Sequence, residues 1–115
     1  MHEMPIVMDV VDYADKFAER NNIEQIAGLR MEIGEVSAVV SNYFRSFWSY
    51  ATGKSKHLQG AELFIDEIPG IVKCKECGKE YNLPANDGIC PECDSNVWTL
   101  ISGRELQIKE IYVAE

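Results

Sequence analysis

The chain has 115 residues, with 11 Lys plus Arg against 19 Asp plus Glu and a formal charge of -8; 46% of residues are apolar and 26% charged. This is ordinary globular composition, too apolar for long intrinsic disorder and sufficient for one domain carrying a small insert. No apolar run approaches the ~20 residues of a spanning helix, the start Met1-His2-Glu3-Met4-Pro5 lacks a basic signal region, and the acidic balance is the reverse of a nucleic-acid footprint. The expected setting is therefore cytoplasmic, without membrane or nucleic-acid partners, in a protein that handles cations or docks on basic partners.

Residues 5–21 read as an amphipathic helix. Pro5 suits the first turn, Ile6, Val7, Val10, Val11, Ala14, Phe17 and Ala18 recur at helical spacing, and Asn21-Asn22 ends the pattern. Asp9, Asp12, Asp15 and Glu19 are expected on a solvated face. Residues 25–33 alternate as a half-buried strand, with Ala27, Leu29, Met31 and Ile33 on one face and Arg30 and Glu32 on the other. A second helix follows over 41–51, carrying Phe44, Phe47, Trp48 and Ala51, with Ser37 or Ser41 as its N-cap. The polar loop 52–57 places His57 in solvent. Ala61, Leu63 and Ile65 begin a second strand that reaches Pro69-Gly70. After an insert, Leu106, Ile108, Ile111 and Val113 form a last strand, whose slipped alternation predicts a bulge or an edge position.

The insert carries the clearest chemistry. Cys74-x-x-Cys77 and Cys90-x-x-Cys93 are separated by twelve residues, with room for a short strand at 79–83 and a turn at 84–88. In a reducing compartment such paired thiols read as metal ligands rather than disulfides. Two Cys-x-x-Cys turns facing each other close the tetrahedral shell of a structural zinc, and Gly78 lets the backbone turn under the first pair. Iron in the same shell, or a thiol redox pair, shares this spacing. A module this small needs a metal to replace a core.

The second candidate is the amino terminus. A lone terminal histidine is ordinarily solvated, yet the Met1 amine, the His2 amide and the His2 imidazole can chelate one ion in fused rings, with a donor at Glu3 in a fourth corner. Such planar nitrogen donation suits Ni(II) or Cu(II) rather than Zn(II).

Met1-His2-Glu3, the stretch Leu29-Arg30-Met31-Glu32-Ile33-Gly34-Glu35-Val36-Ser37, the paired Cys-x-x-Cys turns and Ser102-Gly103-Arg104-Glu105-Leu106-Gln107-Ile108-Lys109 together resemble the HypA/HybF family of hydrogenase maturation factors. The resemblance runs from residue 1 to about 113. It implies an α+β fold, two helices on a three-stranded sheet, with an inserted zinc-ribbon-like domain. The nickel-binding domain would comprise 1–70 plus 102–115 and the zinc domain 71–101. It implies Ni(II) as cargo at His2, with Met1 and Glu3 adjacent, and Zn(II) at Cys74, Cys77, Cys90 and Cys93. It further implies that the partners are the GTPase HypB and the large subunit of a [NiFe]-hydrogenase, with urease maturation as a further target; the sequence offers no nucleophile–base pair, no phosphate loop and no open catalytic zinc shell, so the chain is not expected to be an enzyme. The chain departs from the family pattern at Val40-Ser41-Asn42-Tyr43, where relatives often carry an acidic-Pro-Glu start to the second helix. Two other classes use the same cysteines. A zinc-ribbon adaptor would need a basic face, and a rubredoxin-like electron carrier would hold iron and have no use for His2.

Overall fold

The structure, a computed structural model, describes residues 3–114. Helix α1 (Glu3–Arg20), strand β1 (Ile26–Gly34), helix α2 (Ser41–Gly53), strand β2 (Glu62–Ile68) and strand β6 (Leu106–Val113) form one lobe; β3 (Ile71–Cys74), β4 (Glu80–Asn82) and β5 (Trp98–Ser102) form the other. The sheets run β2-β1-β6 and β4-β3-β5. The two lobes make an elongated body of 55 × 26 × 17 Å. This is the expected α+β architecture with an inserted module; the strand β5 within that module has no counterpart in the sequence reading.

The larger lobe closes around one apolar cluster. Val7, Val11, Ala14 and Ala18 form the buried stripe of α1, and Phe44, Trp48 and Ala51 that of α2; both pack on Leu29, Met31 and Ile33. Because β1 and β2 are parallel, the chain needs a crossover between them, and α2 supplies it. Trp48 fixes that crossover by donating its indole N–H to the Ala61 carbonyl (2.8 Å). On the opposite face of the sheet, Arg30 is held by Asp66 (2.8 Å) and Tyr112 (2.9 Å) and stacks over Phe64, 5.0 Å from its centroid.

Several expectations are corrected. Helix α1 begins at Glu3, not Pro5, because the Glu3 carboxylate accepts the Val40 N–H (3.1 Å) and is only 4% exposed. Neither Ser37 nor Ser41 caps α2. Val40 is its N-cap without a side-chain bond, and Ser37 Oγ accepts from Val39 N instead. In β1, Ile26 replaces Ala27 on the core face; Ala27 is exposed, since the register with β6 shifts between Ile26 and Gly28. His57 is buried rather than solvated. Asp15, expected on the solvated face, accepts the Ser55 hydroxyl (2.7 Å) and the His57 N–H (3.0 Å), drawing the loop onto α1. The His57 ring then reaches the Glu24 carbonyl (3.0 Å) and Glu19 (3.4 Å). The slipped alternation of β6 is borne out in both respects: it is an edge strand, and its register with β1 shifts between Arg30 and Met31.

Both connections to the smaller lobe leave at the end of β1. There Gly34 N–H donates to Glu105 O (2.7 Å), Glu35 N–H to Ile68 O (2.8 Å) and Val36 N–H to Gly103 O (2.9 Å). The Glu35 carboxylate accepts from Gly70 N (2.8 Å) and Asn82 Nδ2 (2.9 Å). These donors, the Gly70 N–H foremost, hold Glu35 below the usual carboxylate range, so the clasp persists at neutral pH and is lost only as pH falls through that lowered value. A Cβ on Gly34 would overlap the Gly103 carbonyl. Gly34→Ala should therefore lower stability in chemical denaturation by about 1–3 kcal/mol, as overpacking does, whereas Gly53→Ala, with nothing within 4 Å, should leave stability unchanged or raise it by about 0.4–1 kcal/mol.

Candidate metal centres

The smaller lobe is built around two matching turns. After Cys77, Gly78 adopts φ +79° and its N–H closes onto Cys74 O (3.0 Å); after Cys93, Asp94 adopts φ 62° and its N–H closes onto Cys90 O (2.9 Å). Each loop then returns to its first cysteine, with Cys74 N–H donating to Lys79 O (2.8 Å) and Cys90 N–H to Ser95 O (2.9 Å). Gly78 was legible in the sequence. Asp94, its counterpart, was not, although aspartate is one of the few residues that enters the left-handed region readily. The strand expected near 79–83 is β4, and the turn after it is a short 3-10 helix, Pro84–Asn86.

The turns bring all four sulfurs within 4.8 Å of one another. Cys74 and Cys93 lie 3.6 Å apart, and Cys77 and Cys90 3.5 Å apart. A tetrahedral ion with Zn–S bonds of about 2.3 Å sets its sulfurs about 3.8 Å apart, so the set fits a structural zinc. Cys74 and Cys90 are buried beneath the site, and Cys77 and Cys93 are exposed above it. Main-chain donors favour thiolates here. The Cys77 N–H is the main cause that brings the Cys74 thiol down to about 6. The Ser95 N–H also favours the Cys93 thiolate, but desolvation and the other three sulfurs outweigh it and push that thiol up to about 12. Four such groups cannot all ionise side by side without a cation between them, and a bound divalent ion supplies it.

Of the residues expected at the nickel site, Met1 and His2 lie outside the described residues. Glu3 stands in the first turn of α1 with its carboxylate bound to the Val40 N–H. His57 is placed on α1 and β1, and the sulfurs are the one group of three or more metal-ligating side chains found together among the described residues.

A family model described as "Hydrogenase/urease nickel incorporation, metallochaperone, hypA" matches residues 1–113. The chain belongs to the HypA family. Hydrogenase maturation factor HypA of Trichodesmium erythraeum is 38% identical over all of this chain and 97% of its own length, and that of Desulfosudis oleivorans is 36% identical over the whole of both. The solution structure of the Ni metallochaperone HypA from Helicobacter pylori superposes with a TM-score of 0.68 at 25% identity, covering 98% of this chain and 97% of that one. Membership makes the chain a nickel metallochaperone in hydrogenase/urease nickel incorporation, a carrier rather than an enzyme. Neither a zinc-ribbon adaptor nor a rubredoxin-like carrier is favoured.

Two consequences of the paired turns can be measured. Gly78→Val forces a β-branched residue into the left-handed region at roughly 1–2 kcal/mol, so zinc should be lost to a chelator at lower concentration; Asp94→Gly should hold zinc at least as tightly as the parent. Since protons compete with the metal for thiolates, zinc and the ordered smaller lobe should both be retained at neutral pH and lost together as pH falls, as followed by metal analysis and circular dichroism.

Proposed function

We propose that the chain captures Ni(II) at its amino terminus through the Met1 amine, the His2 amide and imidazole, and a donor of Glu3. The nickel-binding domain is 1–70 plus 102–115. Zn(II) is held by Cys74, Cys77, Cys90 and Cys93 in the domain 71–101. What carries this reading is that the family match begins at residue 1, so Met1-His2-Glu3 lies inside it. The chemistry agrees: amine, amide and imidazole nitrogens suit planar Ni(II), while four thiolates suit tetrahedral zinc. Glu3 contributes its main-chain nitrogen, leaving its carboxylate on Val40 to hold the start of α1 in place.

The partners are the GTPase HypB and the large subunit of a [NiFe]-hydrogenase, with urease maturation as a further destination, and the compartment is the cytoplasm. Among the described residues no helix is long and apolar enough to cross a membrane. The cargo moves by ligand exchange. An open chelate lets an incoming donor attack the ion without unfolding the carrier, whereas a closed four-thiolate shell resists such attack.

The test separates the two sites. His2→Ala should lose tight nickel binding in calorimetric titration while zinc content and circular dichroism stay those of the parent. A Gly-Ser extension before Met1 turns the amine into an amide and should have the same effect, with loss of planar-Ni(II) absorption. Nickel affinity of the parent should weaken as pH falls through about 8 to 6.5, where free α-amines and histidines take up protons. Tight planar nickel binding by the extended protein would overturn the amine–amide–imidazole chelate.

A further inference from the structure

Among the described residues one buried side-chain polar atom has no hydrogen-bond partner, the hydroxyl oxygen of Tyr81. Tyr81 is only 6% exposed. It stands in the middle of β4, opposite Val72 of β3. Its ring therefore shares the inner face of the smaller sheet with Val72 and, two residues further along β3, with Cys74. Lys73 and Glu80, the pair beside it, fall on the outer face and are exposed. Tyr81 forms one buried cluster with Val72, Cys74 and Cys90, and Leu83, Trp98 and Leu100 pack against it.

A phenol oxygen taken out of water without a partner is destabilising. Phenylalanine would fill the same space without that penalty, so the hydroxyl calls for an acceptor. The aliphatic side chains of the cluster offer none, and the Trp98 indole N–H only donates. The sulfurs remain. A thiol accepts weakly, but a thiolate beside a cation is ionised, and hydrogen bonds to ionised acceptors are the strong ones. Water can reach the exposed Cys77 and Cys93 but not the buried Cys74 and Cys90. Cys90 is fully enclosed and accepts from the Glu92 N–H at 3.4 Å. Burial, and after it the negative charge of Cys90 and then Cys74, pushes ionisation of the Tyr81 phenol up, which keeps it in the donating form.

We propose that the Tyr81 hydroxyl is a hydrogen-bond donor to the buried thiolates of the metal-loaded lobe, Cys90 foremost. This rests on the reading that the four cysteines hold zinc. Tyr81 is then a positioning residue. It binds no ion itself, but it draws charge from a sulfur that solvent cannot reach and ties β4 to the ligand turn at Cys90. Such partners behind a ligand tune both its orientation and its hold on the metal.

The experiment compares the full parent chain with Tyr81→Phe, loaded with Zn(II) and, for a visible spectrum, with Co(II). Removing a donor from a thiolate leaves more charge on the sulfur, so the sulfur-to-cobalt charge-transfer band should move to lower energy in the variant. Zinc should also pass to a competing chelator at roughly tenfold lower chelator concentration. An orphaned hydroxyl makes the opposite prediction: the variant would hold zinc as tightly as the parent or more tightly, with the band unmoved, and that result overturns the proposal. A parent without the spectrum of tetrahedral cobalt in four thiolates overturns the zinc reading and this inference with it. A parent that has that spectrum, with a variant that matches it in band and in chelator competition, overturns this inference alone. Should the variant lose its native circular dichroism, the Tyr81 hydroxyl proton of the parent decides by NMR. A downfield shift and slowed exchange on metal loading support the bond, and an unchanged proton overturns it.

Discussion

Where β1 ends, three segments of main chain pass within van der Waals reach of one another: Gly34 itself, the exit toward the smaller lobe at Gly70, and the return at Gly103. At Gly34 and Gly103 a side chain is excluded because backbone occupies its space, and at Gly70 because the Val36 side chain does. The approach follows from topology. β2 runs parallel to β1 and β6 antiparallel on its other flank, so the end of β2 and the start of β6 lie at the same end of the sheet, with the tip of β1 between them. An insert placed in that gap has both of its connections on one short stretch of chain. Residues 34–36 bond to both, and Glu35 adds a carboxylate that reaches Gly70 and Asn82.

The same stretch leads to the beginning of α1. From Glu35 the chain runs through Ser37 and Val39 to Val40, whose N–H is taken by Glu3. Two glutamates, one at each end of 35–40, thus tie the smaller lobe and the beginning of α1 to a single loop. Both make one acceptor serve a main-chain N–H that no helix or strand satisfies, which is the usual solution where backbone must turn inside a fold.

How much of this was legible in the sequence depended on whether the signal was periodic. The stripe of α1, the alternation of Leu29, Met31 and Ile33, and the doubled Cys-x-x-Cys each repeat at a spacing that only one local geometry satisfies. What was missed depends on single long-range bonds. His57 reads as a polar loop residue until Asp15, far away in the sequence, takes its N–H. Ala27 reads as a core position until the bulge shifts the strand by one residue. Strand β5 has an ambiguous pattern, since Trp98, Leu100 and Ser102 are only half-buried; it is a strand because β3 pairs with it. At the metal site the ligands were legible from spacing, whereas Asp94 in the left-handed region was not, because only the fold reveals which aspartate must turn the chain.

The smaller lobe shows why its metal cannot be treated as an accessory. Its buried cluster consists of Val72, Cys74, Tyr81 and Cys90, so two of its four buried residues belong to the four-sulfur group that fits a zinc. Apolar burial on that scale does not fold an independent unit, and the sulfurs, once ionised, repel one another unless a cation lies among them. The ion therefore stands where a larger domain would place aliphatic side chains. The dependence extends beyond the lobe. Asn82, which donates to Glu35, belongs to β4, and β4 is held by pairing with β3, the strand that ends in Cys74. The orientation of the smaller lobe on the larger one thus rests on a bond from a strand that needs the metal-bound turn to exist. A zinc held by the four sulfurs would therefore bear on where the lobe points as well as on whether it folds.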